Sequence, residues 1–271
     1  MKVLVTCPPM LGMIDSFLPL FNDSGIELTA PKVVQTMDID KLIELVPIHD
    51  GWIIGDDMAT REVFEAGKAG NLKAAVKWGI GVDNVDLAAC KDLNIQFTNT
   101  PNMFGSEVAD IAVGYVVALA RQTFMIDKGV RQGEWPKPIG ISLSGKTAAL
   151  IGYGDVGKNT AKRLLAADMK VIYYDPSTND NKDLQIVRQE NWPNRIEEAD
   201  FIIVTCSLTK SSYHMINNII FKRLKKGVRI VNVGRGPVID ESSLKDALIS
   251  GIVHSVALDV FEEEPLPIKS Y

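Results

Sequence analysis

Residues 146–175 read KTAALIGYGDVGKNTAKRLLAADMKVIYYD and contain the succession of patterns that decides the fold. The run 147–151 is short and apolar and ends at a glycine-rich turn, which predicts a buried parallel strand. A helical pattern follows, and the run 170–174 predicts a second strand. A strand, a glycine-rich turn, a helix and a second strand, in this order, form the βαβ unit of dinucleotide-binding folds.

The turn after the first of these strands has the spacing GxGxxG. It consists of Gly152, Tyr153, Gly154, Asp155, Val156 and Gly157. In such a turn the first glycine permits a tight bend, the second lets the backbone approach a pyrophosphate, and the third lets the helix pack on the strand. The same spacing occurs by chance in ordinary loops, but its place between a strand and a helix favours a phosphate-binding turn over a purely structural one.

Asp175 ends the second predicted strand, 18 residues after Gly157 (175 − 157). A carboxylate at this place accepts hydrogen bonds from the ribose hydroxyls of the cofactor. It also repels a 2′-phosphate, so the sequence predicts NAD rather than NADP as the cofactor.

The composition limits the classes of partner. The chain has 271 residues, 46% of them hydrophobic, which is enough for two domains with a core each. The net charge is −5 and no lysine- or arginine-rich block is present, so a nucleic-acid partner is not expected. The apolar helix candidate 108–120 is too short to span a bilayer, and Pro8 and Pro9 interrupt the first apolar run. No membrane partner is expected.

The three cysteines, Cys7, Cys90 and Cys206, lie far apart in apolar or strand-like segments. Their odd number and wide spacing favour reduced core residues over a disulfide or a metal-binding set. The sequence therefore predicts a cytoplasmic protein with no metal site.

Strand-like and helix-like segments alternate along the chain, which predicts an α/β protein with two doubly wound parallel sheets. The first series has the strands KVLVT, GWIIG, AAVKWG and IQFTN and the helices 38–46 and 86–92. The second begins with an apolar helix at 107–123, and beyond the βαβ unit it has the strands FIIVTC, RIVNVG and SVALDV and the helices 216–224 and 241–250. The predicted domains are 1–98 and 99–271.

Ligands of open parallel sheets bind beyond the carboxyl ends of the strands. Arg235 follows one predicted strand, Asp259 ends the next, and Glu264 comes shortly after it, so all three share an edge with the glycine turn. An arginine at this edge is suited to hold a carboxylate by two parallel hydrogen bonds. The alternative is an Arg235–Glu264 ion pair that only ties two loops together.

Five segments resemble the D-isomer-specific 2-hydroxyacid dehydrogenase family, in the family's order and over essentially the whole chain. They are KWGIGVDNVDLAAC (77–90), NTPNMFGSEVADIAVGYVVALAR (99–121), LIGYGDVG (150–157), VNVGRGPVID (231–240) and ALDVFEEEPLP (257–267). The resemblance implies a larger Rossmann NAD-binding domain inserted in a smaller, flavodoxin-like substrate domain. It implies hydride transfer between NAD and a small 2-oxo or D-2-hydroxy acid, of the glyoxylate, hydroxypyruvate or 3-phosphoglycerate type. It also implies a homodimer, formed through the helix at 107–123.

The resemblance further implies roles for single residues. Arg235 matches the arginine that holds the substrate carboxylate and polarises the 2-oxo group. Glu264 matches the acid that orients the catalytic histidine and raises its pKa. The backbone of Ile80 and Gly81 matches a loop that grips the substrate carboxylate. The positions that match cofactor contacts are Asp155, Val156, Asp175, Val233 and Asp259.

The sequence departs from the family pattern in two regions. Phe104 and Glu107 stand where asparagine and serine are common. The family's catalytic histidine follows the glutamate by a couple of dozen residues, whereas Tyr271 lies seven residues after Glu264 (271 − 264). We therefore expect the proton donor and the closing helix of the substrate domain to be absent from residues 1–271, and turnover by this chain to be impaired. The missing histidine keeps a non-catalytic NAD-sensing module open as an alternative, whereas Glu264 argues against a formate-oxidising relative, which has glutamine there.

None of the three histidines in the sequence is expected to replace that proton donor. His254 and His49 precede their strands, at the edge opposite the ligand, and His49 is predicted to be a surface or strand-entry residue. His214 follows the strand FIIVTC on the ligand edge and is the only geometric candidate. The resemblance, however, implies that it helps to start the next helix.

Overall fold

The computed structural model describes residues 1–177 and 187–267. The chain forms two compact units, Met1–Met103 and Phe104–Tyr271. The domain limits drawn from the sequence, 1–98 and 99–271, stay predictions.

The first unit is a parallel sheet with helices on both faces. Its strands are β1 (Lys2–Val5), β2 (Glu27–Thr29), β3 (Gly51–Ile54), β4 (Ala74–Lys77) and β5 (Gln96–Asn99). Its helices are α1 (Pro8–Leu11), α2 (Ile14–Asp23), α3 (Ile39–Leu45), α4 (Arg61–Ala69) and α5 (Leu87–Asp92). The strands pair in the order β2-β1-β3-β4-β5, which is the flavodoxin-like order of doubly wound sheets. The predicted fold of this unit is confirmed.

The second unit is also a parallel sheet wound on both faces. Its strands are β6 (Thr147–Ile151), β7 (Lys170–Tyr174), β8 (Val187–Gln189), β9 (Phe201–Val204), β10 (Val228–Asn232) and β11 (Val253–Leu258). Its helices are α6 (Gly105–Arg121), α7 (Thr123–Arg131), α8 (Asp155–Ala166), α9 (Asn218–Phe221) and α10 (Glu241–Ile249). The order β11-β10-β9-β6-β7-β8 is the Rossmann order, with its reversal point between β6 and β9.

Strand β9 shows why the sequence of this sheet is apolar without alternation. Phe201 and Ile203 pack into the cluster that contains residues of α6 and α8. Ile202 and Val204 pack into the opposite cluster, which contains residues of α9 and α10. Both faces of the strand are buried, as expected for a central parallel strand between two helical layers.

The predicted helix 107–123 is divided in the structure. α6 ends at Arg121, Gln122 adopts a left-handed conformation with φ 56°, and α7 begins at Thr123. Among the described residues, no single helix is long and apolar enough to cross a membrane. The pair α6 and α7, bent by 69°, meets the same length and composition criteria when the two helices are taken together.

Candidate active site

The turn between β6 and α8 has the geometry that its glycines predict. Gly152 has a φ of +98°, and a Cβ there would lie 2.7 Å from the backbone N of Cys206. A Cβ on Gly157 would lie 2.3 Å from the carbonyl oxygen of Gly152. Around Gly154, in contrast, a Cβ would meet nothing within 4 Å. Packing thus requires glycine at 152 and 157. Gly154 instead leaves the backbone open to the space in front of α8, where a phosphate group fits.

Asp175 closes one side of this turn. Its Oδ2 accepts a hydrogen bond from the backbone N of Tyr153 at 2.7 Å. Its Oδ1 accepts from the backbone N and the Oγ of Ser177, at 2.8 and 2.6 Å. These bonds fix the carboxylate at the carboxyl end of β7, beside the glycine turn, where a ribose hydroxyl of a dinucleotide is expected.

A cleft of about 850 Å³ opens beside the turn and Asp175. Its walls include Gly152, Gly154, Asp175, Trp192, Thr205 and Cys206. The ring of Trp192 stands edge-on to that of Tyr174, with 5.1 Å between the ring centres. The cleft, the open backbone at Gly154 and the carboxylate of Asp175 together fit a dinucleotide such as NAD.

Asp155 and Val156 form the first turn of α8, behind the glycines. Oδ1 of Asp155 accepts from Nδ2 of Asn159 at 3.1 Å, whereas its Oδ2 is buried and has no hydrogen-bond partner. A Cβ on Gly105, the first residue of α6, would lie 2.1 Å from that Oδ2. Asp155 therefore sits where the N-termini of α6 and α8 meet, and both helix ends favour its negative charge.

The segment after β10 carries Val233 and Arg235. Val233 is buried, and its backbone N donates to Val204 at 3.1 Å. Asn232, which sequence reasoning missed, donates from Nδ2 to the Arg235 carbonyl and accepts at Oδ1 from the backbone N of Gly234, both at 3.0 Å. Nη1 of the half-buried Arg235 donates to the Gly234 carbonyl at 2.9 Å. These contacts shape the loop that presents the guanidinium at the ligand edge.

Asp259 and Glu264 follow β11, the neighbour of β10 in the sheet. The backbone N of Asp259 donates to the Asn232 carbonyl at 2.9 Å, which joins the ends of the two strands. The Asp259 side chain accepts from the hydroxyl of Tyr115 at 3.0 Å. Glu264 is exposed, and its Oε1 accepts from the backbone N of Phe261 at 2.7 Å. The structure thus brings the two predicted loops to one edge of the sheet.

Two contacts in this site carry little sequence signal. Tyr115 lies on α6, 144 residues before Asp259, so no local pattern relates the two side chains. Thr205 follows β9, and its Oγ1 donates to the carbonyl of Gly152 at 2.9 Å. A threonine directly after a central strand of a dinucleotide-binding sheet is the signal that points to such a contact.

The candidate substrate loop of the first unit follows β4. Gly79 has a φ of +134°, and its backbone N donates to Oγ1 of Thr100 at 2.8 Å. Nδ2 of Asn99 donates to the Ile80 carbonyl at 2.8 Å. Gly79 and Ile80, directly before Gly81, are therefore held from β5 and from the residue after it, and sequence reasoning missed Asn99 and Thr100.

The three histidines have different surroundings, and only His214 adjoins the ligand edge of the second sheet. His49 precedes β3, but it is buried at 2% exposure, with Nδ1 and Nε2 each 2.7 Å from a partner, Leu45 O and Thr29 Oγ1. His49 therefore lies at the entry to β3, one of the two predicted alternatives, whereas the other alternative, a surface residue, is wrong because the ring is buried and hydrogen-bonded. His254 lies near the start of β11, away from the ligand edge. His214, with φ 46°, donates from its backbone N to Pro237 at 2.8 Å, so it adjoins the segment that follows Arg235.

The two positions at which the sequence departs from the family pattern, Phe104 and Glu107, lie at the start of α6. Phe104 is the N-cap residue and makes no side-chain capping bond. Glu107 lies in the first helical turn, where the helix dipole favours an acidic side chain.

Comparison with known sequences identifies relatives along most of the chain. A hydroxypyruvate reductase of Thermotoga maritima is 37% identical over 249 residues, which are 91% of this chain and 79% of that protein. A glyoxylate reductase of Thermofilum pendens is 36% identical over 78% of this chain and 64% of its own length. The chain therefore spans less than two thirds of the second relative.

A solved structure and a family profile agree with these relatives. The apo-structure of D-lactate dehydrogenase from Escherichia coli superposes with a TM-score of 0.82 at 28% identity, over 98% of this chain and 84% of that one. The profile described as D-isomer specific 2-hydroxyacid dehydrogenase, NAD binding domain, matches residues 113–270. The chain belongs to the D-isomer-specific 2-hydroxyacid dehydrogenase family and contains the family's NAD-binding domain.

Proposed function

We propose that this protein is an NAD-dependent oxidoreductase that interconverts a small 2-oxo acid and the corresponding D-2-hydroxy acid. The names of the two relatives, a hydroxypyruvate reductase and a glyoxylate reductase, support this reaction class and small substrates of that kind. Both relatives are enzymes by name, which supports a catalytic function over the NAD-sensing alternative.

The observation that carries the proposal is the common edge of the second sheet. The glycine turn with Asp175 and the loops with Arg235, Asp259 and Glu264 all follow the carboxyl ends of parallel strands. One edge therefore offers a dinucleotide cleft and a cationic side chain suited to a carboxylate. That combination serves a reaction in which a cofactor meets a small organic acid.

In this proposal the residues of the chain bind the cofactor and the substrate, orient the proton-exchanging group and polarise the 2-oxo group. Asp175 holds the adenosine ribose, and the backbone at Gly154 receives the phosphates. Arg235 holds the substrate carboxylate in a bidentate pair and polarises the 2-oxo group. The backbone of Ile80 and Gly81 is proposed to contribute to substrate binding. Glu264 orients the side chain that exchanges the proton with the substrate, a histidine according to the family resemblance. When bound, NAD(H) supplies or accepts the hydride.

The test is the Arg235→Ala variant of the full gene product. Loss of a charged, bidentate contact of this kind is expected to lower kcat/KM for glyoxylate or hydroxypyruvate at least about 100-fold. The Kd for NADH should change less than about threefold, because Arg235 is proposed to hold substrate and not cofactor. Turnover is followed by NADH absorbance, and NADH affinity by fluorescence titration.

Two further measurements sharpen this test. Oxamate, a non-reacting 2-oxo acid analogue, should bind the wild-type NADH complex and fail to bind the variant, which separates binding from chemistry. Arg223→Ala removes an arginine of another surface, where its Nη2 lies 3.4 Å from Glu197, and should leave both values unchanged. Normal turnover and normal oxamate binding in the Arg235→Ala variant would refute the assignment.

The oligomeric state and the cellular location complete the proposal. We propose a homodimer through the surface of α6, α7 and the segment after them. Its exposed apolar side chains are Ile111, Val117, Phe124, Met125, Val130, Trp135 and Ile139. An apolar surface of this kind is suited to a second copy, which covers it symmetrically. Cys7, Cys90 and Cys206 are free thiols, which supports a reducing compartment such as the cytoplasm.

A further inference from the structure

His214 meets an acidic cluster where the loop after β11 packs on the first turn of α10. Nε2 of His214 lies 3.0 Å from Oε1 of Glu262. This nitrogen is buried and makes no well-aligned hydrogen bond, so the attraction depends on the charge of the imidazole more than on a directed bond. A carboxylate oxygen of Asp240 lies close as well. One ring nitrogen of His214 and one carboxylate oxygen each of Asp240 and Glu262 are all within 4.8 Å of one another.

Glu262 is tied to α10 by a reciprocal pair of hydrogen bonds. The backbone N of Glu241 donates to Oε1 of Glu262 at 3.0 Å. The backbone N of Glu262 donates to Oε1 of Glu241 at 2.8 Å. The positive end of α10 favours both carboxylates. With Asp240, the N-cap residue of α10, three carboxylates gather here, and their mutual repulsion calls for a positive neighbour.

The same loop carries Glu264, which is proposed to orient the proton-exchanging group. The backbone N of Phe261 donates to Oε1 of Glu264. A Cβ on Gly236 would lie 1.9 Å from the backbone of Phe261, so the loop rests directly on the residue that follows Arg235. A displacement of Glu262 therefore moves Phe261, which contacts both Glu264 and the Arg235 segment.

We propose that His214 is a positioning residue whose imidazolium holds Glu262 and thereby fixes the segment 261–264, including Glu264, beside the Arg235 loop. The catalytic meaning of this inference rests on the role of Glu264 in the proposed function. The structural part of the inference is that the order of the segment 261–264 depends on the charge of His214. This part rests only on the contacts described above.

The sign of the effect follows from the groups that face the imidazole. They are Glu262 and Asp240, with Glu241 bonded to Glu262 and the ring of Tyr213 stacked on that of His214 at 4.0 Å. The pKa of Asp240 lies below its ordinary value, chiefly because Ser243 donates to it and to a smaller degree because of the His214 charge. Histidine side chains lose their positive charge as the pH rises, and without that charge three carboxylates face one another here. The segment should therefore loosen as the pH rises.

The test is hydrogen–deuterium exchange of peptides that cover 259–264, measured between about pH 5 and 8, the range in which histidine side chains titrate. After correction for intrinsic exchange, protection in the wild type is expected to fall at least about threefold with rising pH. In His214→Gln, which keeps a donor but has no charge, protection should be low and independent of pH. Buffers contain EDTA, so that no divalent cation takes the place of the proton.

Glu262→Gln tests the pair from its other side and should also abolish the pH dependence. Retained NADH binding in each variant shows that the second unit is folded. An unchanged pH dependence in either folded variant would overturn the proposal. The kcat of the full gene product, at saturating NADH and substrate, should follow the exchange profile. Absence of turnover in the wild type, with the exchange behaviour as expected, would contradict the proposed function and leave the role of His214 intact.

Discussion

Asp175 is the residue on which cofactor choice is expected to depend. Its carboxylate lines the cleft and adds a negative charge where a 2′-phosphate would enter. Replacement by alanine removes both this repulsion and the acceptor for the ribose. Because hydrogen bonds to charged groups contribute about 1.5–3 kcal/mol, Asp175→Ala should weaken NADH binding at least about tenfold. The preference for NADH over NADPH should narrow by a similar factor. Fluorescence titration with both cofactors measures this.

Asp175→Asn removes the charge but keeps one of the two acceptor oxygens, enough for either Tyr153 or Ser177, which donate to different oxygens of the carboxylate. It should raise NADPH affinity while weakening NADH binding less than alanine does. Asp15→Asn, an exposed residue of α2, is the matched control and should change neither value. If Asp175→Ala leaves the ratio of the two affinities unchanged, another group sets the preference.

At the residue scale, the sequence predicted positions that one chain segment defines by itself. Gly152, Gly157 and Asp175 follow from spacing, because the turn, the helix and the next strand are consecutive. Tyr115 did not follow, because its bond to Asp259 depends on how α6 lies along the sheet. The His214–Glu262 contact was missed for the same reason, although the sequence placed His214 on the ligand edge together with Glu264, two residues after Glu262.

At the scale of the element, α10 depends on its first turn. Asp240 is the N-cap residue, and its carboxylate accepts from the backbone N of Ser243 at 3.4 Å and from the Ser243 hydroxyl. Asp240→Ala should lower the free energy of unfolding at pH 7 by about 1 kcal/mol, the usual cost of a lost cap. Urea denaturation at several pH values measures the difference between variant and wild type.

The pH dependence of this difference has a definite sign. The folded-state pKa of Asp240 is depressed, first of all by the Ser243 hydroxyl. The cap contribution is therefore full above the unfolded-state pKa of aspartate, about 3.9, and is lost as the pH falls through the lower folded-state value. The two proteins should converge in stability under strongly acidic conditions. Asp246→Ala, exposed in the same helix, should show no such convergence, and a constant Asp240→Ala deficit down to pH 2 would contradict the prediction.

Elements were predicted well where the apolar runs are long and the turn residues strong. β6, β7 and β9 lie within predicted runs, whereas β10 and β11 overlap theirs and begin one and two residues earlier. β2 and β8 were missed, because each has three residues at an edge of its sheet and depends on the neighbouring strand. The division of the helix 107–123 at Gln122 was also missed. Glutamine is an ordinary helix residue, and its left-handed conformation reflects the tertiary structure rather than local preference.

At the scale of the whole molecule, the proposed dimer can be tested by one surface charge. Ile139 is 92% exposed, in the segment after α7. Ile139→Asp places a charge in the proposed interface, and a desolvated charge without a partner is strongly unfavourable. Sedimentation equilibrium should give twice the chain mass of 29.7 kDa for the wild type and a mass near the single chain for the variant.

Ile249→Asp is the matched control, because this isoleucine is 77% exposed on α10, outside the proposed interface. It should leave the dimer intact. A wild-type protein that is monomeric at micromolar concentration would refute the proposal. A loss of mass in both variants would point to general destabilisation instead.

The sulfur atom in the wall of the cofactor cleft has a consequence for the chemistry of the site. Burial raises the pKa of the Cys206 thiol to about 11. At neutral pH only on the order of one molecule in ten thousand then carries a thiolate there. The thiolate is the form that attacks electrophiles and is oxidised by peroxides, so the protonated sulfur acts as an apolar wall. A cofactor with an electrophilic ring and substrates with reactive carbonyls can therefore bind beside Cys206 without forming covalent adducts with its sulfur.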